Sequence, residues 1–260
     1  MSTTQVSTSR TSTIVITGGT RGLGLGLARA LVERGHQVVV CGTDPGRVRA
    51  SGLPGIVADV ADRDQLQALW EHAAGAYGRV DVWINNAGVS HPREPAWRLP
   101  ADQVRHVVDV NLVGVLNGCA VAMAGMAAQG SGHVWNMEGL GTDGRLVPGL
   151  GVYGATKRAV GYLTDALAKE VPPGVGVGLL SPGMVVTDLL THGYSEEERR
   201  RASRVLSILA DRVETVAPWL ADRVVDGARN GARVRWLTPG KIAWRFATAR
   251  FTRRDPFTAP

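Results

Sequence analysis

The chain has 260 residues, enough for one large domain with a sizeable core, and its 44% apolar and 20% charged content is ordinary for a soluble globular protein. The net charge of +6 comes from the end of the chain, because residues 233–260 hold seven of the 29 Lys and Arg but one of the 23 Asp and Glu. The rest is neutral, which argues against a nucleic-acid binder with a broad basic face.

The ends of the chain and its cysteines indicate the kind of compartment. Residues 1–12 are polar and lack the apolar segment of a signal peptide, so we expect a disordered lead there. Cys41 and Cys119 lie far apart without metal-ligand spacing, which favours buried thiols in a reduced, cytoplasmic protein. The most apolar run, residues 112–128, contains Asn117, and a buried helix in a core or subunit interface explains it better than a membrane span.

Strand and helix patterns alternate along the chain, which favours a parallel sheet with helices on both faces. Predicted strands span Thr13–Thr17, Gln37–Cys41, Gly55–Ala58, Val80–Ile84, His133–Met137, Val175–Leu180 and Arg233–Leu237. Predicted helices span Leu25–Arg34, Asp62–Tyr77, Ala101–Ala128, Val152–Glu170 and Ile242–Arg254. Without repeats or Pro- and Ser-rich linkers, we expect one α/β domain over residues 13–240 and a basic, aromatic tail over 241–260.

A glycine-rich turn, TGGTRGLG over residues 17–24, joins the first strand to the first helix. This arrangement seats a pyrophosphate on a helix N-terminus. Gly18 permits the tight turn, while Gly22 and Gly24 allow backbone and phosphate to approach closely. The spacing differs from G-x-G-x-x-G, so a purely structural turn remains an alternative.

The end of the second strand indicates which dinucleotide would bind. An acidic residue there would bind the ribose hydroxyls of NAD, but the chain has Gly42 and Thr43 after Cys41. Asp44 is expected to cap the next helix, and Arg21 supplies a cation for a 2′-phosphate. NADP(H) is therefore favoured over NAD(H).

Tyr153 and Lys157 lie four residues apart on one face of a predicted helix. An ammonium beside a phenol favours the phenolate and lowers the phenol pKa, which makes tyrosine a usable general acid or base. Taken alone, the pair also fits an ordinary exposed helix face.

Together, T-G-x-x-x-G-x-G, the Asn-Asn-Ala-Gly of residues 85–88 and Tyr-x-x-x-Lys make the chain resemble the short-chain dehydrogenase/reductase family over about residues 12–240. The resemblance implies a single-domain, Rossmann-type three-layer sandwich with a seven-stranded parallel sheet. It also implies transfer of the pro-S hydride between a nicotinamide and a carbonyl or alcohol, in a homodimer or homotetramer formed through the long helices.

The resemblance also assigns roles to single residues. Tyr153 would protonate the substrate oxygen, Lys157 would bind the nicotinamide ribose and lower the pKa of Tyr153, and Asn111 would hold a water in a proton relay. Asp59 would contact the adenine, and Asn86 would steady the backbone beside the cofactor. The implied cofactor-binding set is Gly18, Thr20, Arg21, Gly22, Leu23, Gly24, Gly42, Thr43, Asp59, Val60, Asn86, Ala87, Gly88, Tyr153, Lys157, Pro182, Gly183, Val185 and Thr187.

One catalytic position departs from the family pattern. Gly139 occupies the place of the serine that normally donates a hydrogen bond to the substrate oxygen. Losing such a donor costs on the order of 10²–10³ in rate. Thr142 is the nearest hydroxyl, and Glu138, if protonated or bridged by water, is the other candidate replacement. A cofactor-binding protein without redox activity is therefore one alternative function, and an NADP-dependent alcohol dehydrogenase is another.

Several segments resemble the chlorophyll(ide) b reductase branch, whose members reduce a formyl group on a large, flat tetrapyrrole with NADPH. They are NMEGLG at 136–141, VYGATK at 152–157, TDLL at 187–190, ETVA at 214–217, and LTP and WRF near the end. The likeness implies a carbonyl on a bulky, largely apolar substrate.

The expected substrate lid covers about residues 188–218. Its charge run, residues 196–204, is typical of a solvated helix face, and its apolar side consists of Leu189, Leu190, Val205, Leu206 and Leu209. His91 and His192 lie where the family places substrate, and loop histidines without a catalytic duty are the simpler interpretation. No third ligand accompanies them, so no metal site is expected. The tail's arginines, mixed with Trp and Phe, suit contacts within the protein or with a partner subunit, and alternatively an anionic membrane surface.

Overall fold

The computed structural model describes residues 11–191, 196–251 and 254–257. Its strands are β1 (Thr13–Thr17), β2 (Gln37–Gly42), β3 (Gly55–Val57), β4 (Val82–Asn85), β5 (Gly132–Met137), β6 (Val175–Ser181), β7 (Met184–Val185), β8 (Ala210–Asp211) and β9 (Arg233–Arg235). Seven of them form a parallel sheet in the order β3-β2-β1-β4-β5-β6-β9. The predicted seven-stranded α/β fold is confirmed.

Helices cover both faces of this sheet. They are α1 (Gly22–Val32), α2 (Pro45–Ala50), α3 (Arg63–Tyr77), α4 (Ala101–Val108), α5 (Gly114–Gln129), α6 (Gly151–Leu167), α7 (Asp188–Thr191), α8 (Glu196–Leu209), α9 (Val213–Val224) and α10 (Pro239–Thr248). One apolar core lies between the sheet and α3, α5 and α6, and the other between the sheet and α1 and α9. Because the strands are buried on both faces, they read as continuous β-branched runs rather than as alternating patterns.

The predicted long helix is continuous over residues 101–129 but contains one wide turn. Residues Asp109–Val113 form a π-helix between α4 and α5. The helix is long and apolar enough to cross a membrane by composition alone, but half of its most apolar stretch is buried inside this fold. It packs against α3 and against β4 and β5, as a core helix does.

Several predicted boundaries were wrong for identifiable reasons. Helix α1 begins at Gly22 rather than Leu25, because the Leu25 N–H already donates to the Arg21 carbonyl at 3.2 Å and so encloses Gly22–Gly24 in the first helical turn. Helix α10 begins at Pro239 rather than Ile242, because proline suits the first helical turn and the Thr238 hydroxyl accepts from the Lys241 N–H at 3.2 Å. Ser12 is buried, and its N–H donates to Nδ1 of His36, so it belongs to the domain; the rest of the expected lead, residues 1–10, lies outside the described ranges.

The sheet topology places the site. The chain reverses its direction of travel across the sheet between β1 and β4, so the carboxyl ends of these two strands open a crevice. Ligands bind at this switch point in open α/β sheets. The glycine-rich turn follows β1, the Asn-Asn-Ala-Gly segment ends β4, and the loop to α6 follows β5.

Candidate active site

The glycine-rich turn has the backbone of a phosphate cradle. Gly18 and Gly22 have φ angles of 63° and 53°, which residues with a side chain rarely adopt. A Cβ on Gly18 would lie 2.8 Å from the Ala87 Cα, whereas a Cβ on Gly22 would meet nothing nearer than Thr187 at 3.4 Å. The turn is therefore packed against the protein at Gly18 and open at Gly22.

The N-terminus of α1 faces this opening. Arg21 precedes the helix and provides no side-chain cap, and the first intrahelical bond runs from the Leu25 N–H to the Arg21 carbonyl at 3.2 Å. The N–H groups of the first turn are therefore oriented for an anion, so the residues present fit a dinucleotide pyrophosphate. A glycine is required at residue 24 by packing within the protein, because a Cβ there would lie 2.5 Å from the Gly18 carbonyl and from Nδ2 of Asn86.

Asn86 ties this turn to the end of β4. Its Nδ2 donates to the carbonyls of Thr17 at 2.9 Å and Gly18 at 3.1 Å. The Thr17 hydroxyl in turn accepts from the N–H groups of Asn86 and Ala87, both at 3.1 Å. Asn86 thus holds the end of β4 to the backbone of the glycine-rich turn, and its role toward the cofactor stays a prediction.

The predicted adenine side is built on the segment after β3. Oδ1 of Asp59 accepts from the Ala61 N–H at 2.9 Å, which orders the turn. Nδ2 of Asn117 donates to the carbonyls of Val60 and Ala61, both at 3.1 Å, so the polar residue inside the apolar helix holds this wall. Thr20 packs on the end of β2, because a Cβ on Gly42 would lie 2.7 Å from its hydroxyl.

The charges near the end of β2 bear on the 2′-phosphate. Asp44 caps α2, as predicted, by accepting from the N–H groups of Gly46 at 2.7 Å and Arg47 at 3.1 Å. Arg47, an exposed cation that no sequence motif indicated, pairs with Asp44 at 3.6 Å. Arg21 lies 3.4 Å from Asp188, and both side chains are exposed, so this pair costs little to rearrange.

Tyr153 and Lys157 are buried on one face of α6. Nζ of Lys157 donates to the Met137 carbonyl at the end of β5, at 3.1 Å. A Cβ placed on Gly88 would lie 3.7 Å from this Nζ and 3.4 Å from Oδ1 of Asn111. The structure thus brings together the three groups that the motifs predicted to act together.

Burial dominates the ionisation of the pair. It raises the pKa of Tyr153 to about 12 and lowers the pKa of Lys157 to about 8, although the nearby Glu138 carboxylate opposes the second shift. The expected lowering of the Tyr153 pKa by Lys157 is therefore not found, because removal of the phenol from water shifts this pKa upward.

Asn111 lies in the π-helical turn and is fully buried. Such turns often occur at functional sites because they redirect one side chain out of the regular helix. Oδ1 of Asn111 accepts from the Val89 N–H at 2.8 Å, and its Nδ2 donates to the Val89 carbonyl at 2.9 Å and to the Thr156 hydroxyl at 3.3 Å. Asn111 thereby joins the loop after β4 to α6.

Gly139 is more than a missing serine. A Cβ at this position would lie 2.5 Å from the Tyr153 hydroxyl oxygen and 3.0 Å from Cε of Lys157. Real Cβ atoms essentially never approach a neighbour as closely as 2.5 Å, so a side chain at residue 139 would require the end of the tyrosine side chain to shift. The glycine and the position of the phenol are therefore coupled.

The two candidate replacements for the serine have other contacts. The Thr142 hydroxyl donates to the Gly139 carbonyl at 2.9 Å and accepts from the Gly139 N–H at 3.1 Å. The Glu138 side chain is buried, and its Oε1 faces Arg233 at 3.5 Å and Arg235 at 3.6 Å. These contacts favour structural duties for both residues, and their roles toward substrate stay predictions.

The rim of the crevice carries exposed apolar groups. Trp97, in the loop between β4 and α4, is 77% exposed, and Leu146, in the loop between β5 and α6, is 92% exposed. These loops touch, because a Cβ on Gly149 would lie 3.3 Å from Cβ of Arg93. After β6, Gly183 turns the chain with a φ of 73° ahead of Thr187 and the exposed Leu189 of the lid.

His91 is the site residue whose contact the sequence did not reveal. It is fully buried, and its Nε2 accepts from the Tyr153 N–H at 3.2 Å. No local signal indicates a contact between residues 62 positions apart. His192, the other histidine considered, lies outside the described ranges.

The lid and the tail meet at one buried carboxylate. Asp211 of β8 accepts from Arg245 at 2.8 and 3.1 Å, from the Trp236 indole at 2.6 Å and from Arg254. Burial tends to raise the pKa of Asp211, but these hydrogen bonds outweigh it and hold the pKa below its usual range. Two of the tail's arginines are thus used within the protein. Leu206 and Leu209 of the lid are also buried.

Comparison with known proteins agrees with this geometry. The family model described as short chain dehydrogenase matches residues 12–198. Chlorophyll(ide) b reductase NOL, a chloroplastic protein of Arabidopsis thaliana, is 33% identical over 245 residues, which cover 86% of this chain and 70% of that protein.

Two solved structures share the fold and contain nicotinamide cofactors. The 3-ketoacyl-(acyl-carrier-protein) reductase from Brucella melitensis complexed with NADH has a TM-score of 0.77 and 25% identity, covering 86% of this chain and 96% of that one. The gluconate 5-dehydrogenase from Burkholderia cenocepacia in complex with NADP and tartrate has a TM-score of 0.73 and 26% identity, covering 86% and 93%. The chain belongs to the short-chain dehydrogenase/reductase family of NAD(P)-dependent oxidoreductases.

Proposed function

We propose that the protein reduces an aldehyde or ketone on a bulky, largely apolar substrate with NADPH. The observation that carries this proposal is that Lys157 lies beside both of its expected partners, with its Nζ near Oδ1 of Asn111 at Gly88 and its Cε near the Tyr153 hydroxyl at Gly139. NADPH, when bound, supplies the hydride that reaches the carbonyl carbon. Tyr153 gives its proton to the carbonyl oxygen, and Lys157 and the Asn111 relay restore that proton.

The apolar rim supports the substrate class. Trp97 and Leu146 present a ring and an aliphatic side chain to solvent on adjoining loops, as a site for a large, flat, apolar molecule would. The Arabidopsis relative is named for a reductase of such a molecule.

The preference for NADPH rests on charge. Residues 41–43 contain no acid to bind the ribose hydroxyls, and the carboxylate of Asp44 is occupied in capping α2. Arg21 and Arg47 are exposed cations on the two segments that flank the end of β2. Replacing both with Gln should lower kcat/KM for NADPH at least 10-fold relative to NADH. An unchanged ratio would remove the NADPH preference.

Tyr153→Phe tests the catalytic proposal. General acid catalysis contributes about 10²–10⁴ in rate, so turnover of phenanthrenequinone, a flat apolar carbonyl probe, with NADPH should fall by that factor. NADPH binding, followed by its fluorescence, should persist. Unchanged turnover would instead leave the cofactor-binding, non-redox alternative, and faster alcohol oxidation than carbonyl reduction would favour the dehydrogenase direction. Thr142→Val with an unchanged rate would exclude its hydroxyl as the replacement donor.

We also propose a homodimer or homotetramer in the cytoplasm. An apolar groove on the outer faces of α5 and α6 supports the assembly, and it is lined by Leu112, Leu116, Ala155, Arg158, Ala159, Tyr162, Leu163 and Ala166. Both cysteines are buried, unpaired thiols, as a reducing compartment keeps them.

A further inference from the structure

The helix that carries Tyr153 begins without a cap of its own. Leu150 precedes α6, and its side chain accepts no hydrogen bond from the first turn. The first N–H groups of any helix lack intrahelical partners, and Tyr153 is the third residue of α6. In a buried helix end these donors need acceptors from elsewhere in the fold.

His91 supplies the acceptor for Tyr153. Its Nε2 lies 3.2 Å from the Tyr153 nitrogen, and its Nδ1 lies 2.7 Å from the Pro92 carbonyl oxygen. Nε2 accepts here, so the ring proton belongs on Nδ1, where it is donated to Pro92. Since His91 has no exposed surface, water cannot take over either bond.

Asn111 fixes the segment that carries His91, and through Thr156 it also supports the carbonyl of Tyr153. Asn111 makes two hydrogen bonds to the backbone of Val89, two residues before His91. It also donates to the Thr156 hydroxyl, which donates to the Tyr153 carbonyl at 2.7 Å. The N–H of Tyr153 is thus linked to Asn111 through His91 and the backbone that leads to Val89. The C=O of Tyr153 is linked to Asn111 through the Thr156 hydroxyl.

We propose that His91 is a positioning residue that acts through the backbone of Tyr153. The inference rests on the proposed function. Both ring nitrogens are engaged by backbone groups, so His91 takes no part in proton transfer to substrate. Its effect is to hold the tyrosine where its hydroxyl meets a carbonyl oxygen, and displacement of about 1 Å at such a group costs as much as 10²-fold in rate.

His91→Leu and His91→Gln test this inference. Leucine fills space without an acceptor, whereas the glutamine Oε1 can accept from the Tyr153 N–H. We expect His91→Leu to lower kcat for phenanthrenequinone with NADPH by about 10-fold or more, with the NADPH dissociation constant unchanged. His91→Gln should recover most of this loss. Amide hydrogen exchange of the peptide at residues 150–157 should quicken in His91→Leu and stay slow in His91→Gln.

Thr238→Val separates positioning from stability, because it removes a side-chain cap from α10, away from the catalytic groups. It should lower the Tm with kcat unchanged. Equal kcat in His91→Leu and the parent, with Tyr153→Phe still impaired, would overturn the His91 inference and leave the proposed function standing. Unchanged exchange at residues 150–157 in His91→Leu would also overturn it. Unimpaired Tyr153→Phe would instead remove the proposed function.

Discussion

At the scale of single residues, the absence of a side chain at Gly139 and the position of the Tyr153 hydroxyl depend on one another. A methyl group at residue 139 would fall 2.5 Å from the phenol oxygen, so Gly139→Ala should displace the tyrosine and lower kcat by about 10²-fold. Steady-state turnover of phenanthrenequinone measures this loss. Gly75→Ala on α3 is the matched control, because nothing lies within 4 Å of its added Cβ, and it should leave kcat unchanged. Parent-like turnover in Gly139→Ala would show that the phenol moves freely.

The buried ammonium of Lys157 gives a prediction in pH. Its folded pKa of about 8 lies below the ordinary 10.5, so between these values the unfolded chain binds more protons and the free energy of unfolding rises with pH. The gain from pH 7.5 to 9.5 is about 2 kcal/mol by the linkage relation. Urea unfolding at the two pH values should show it in the parent and not in Lys157→Met. Equal gains in both proteins would contradict the burial of the charged form.

At the scale of elements, the ion pairs of Asp211 join β8, at the base of the lid, to α10. Removing the charge of one partner from a buried pair leaves the other charge unpaired and costs about 3–5 kcal/mol. Asp211→Asn leaves the buried Arg245 without a carboxylate, so it should lower the free energy of unfolding by about that amount in urea titrations. Arg145→Met removes a pair with Asp143 that is exposed on both sides, and it should change stability by less than about 1 kcal/mol. Similar losses of unfolding free energy in both variants would show that the buried ion pair of Asp211 and Arg245 stabilises the fold no more than an exposed pair does.

The element scale also shows where sequence reasoning succeeds. The glycine-rich turn, Asn-Asn-Ala-Gly and Tyr-x-x-x-Lys are local signatures, and they located the crevice and its groups. The capping of Tyr153 by His91 and the pairing of Asp211 with Arg245 join residues 62 and 34 positions apart. Such contacts depend on how elements pack, and no local pattern encodes them. The packing of α10 on α8 is a contact of the same kind.

At the scale of the whole molecule, the groove between α5 and α6 predicts self-association. Tyr162 within it is 79% exposed, and Leu116 is 43% exposed, so a second copy would remove apolar surface from water. Tyr162→Arg should shift the protein to a monomer in sedimentation velocity. Trp244→Arg alters another exposed aromatic residue, on α10, and should leave the assembly intact. Dissociation in Trp244→Arg alone would assign the interface to the tail.

The crowding at Gly139 also limits how this protein can be changed by evolution or by design. Installing the usual serine requires the present tyrosine hydroxyl to shift, because a Cβ at residue 139 would lie 2.5 Å from it. A serine at residue 139 is therefore best sampled together with the groups that set the position of Tyr153. A library aimed at a conventional active site must vary residue 139 together with the loop that supports it, Leu140 and Thr142 included.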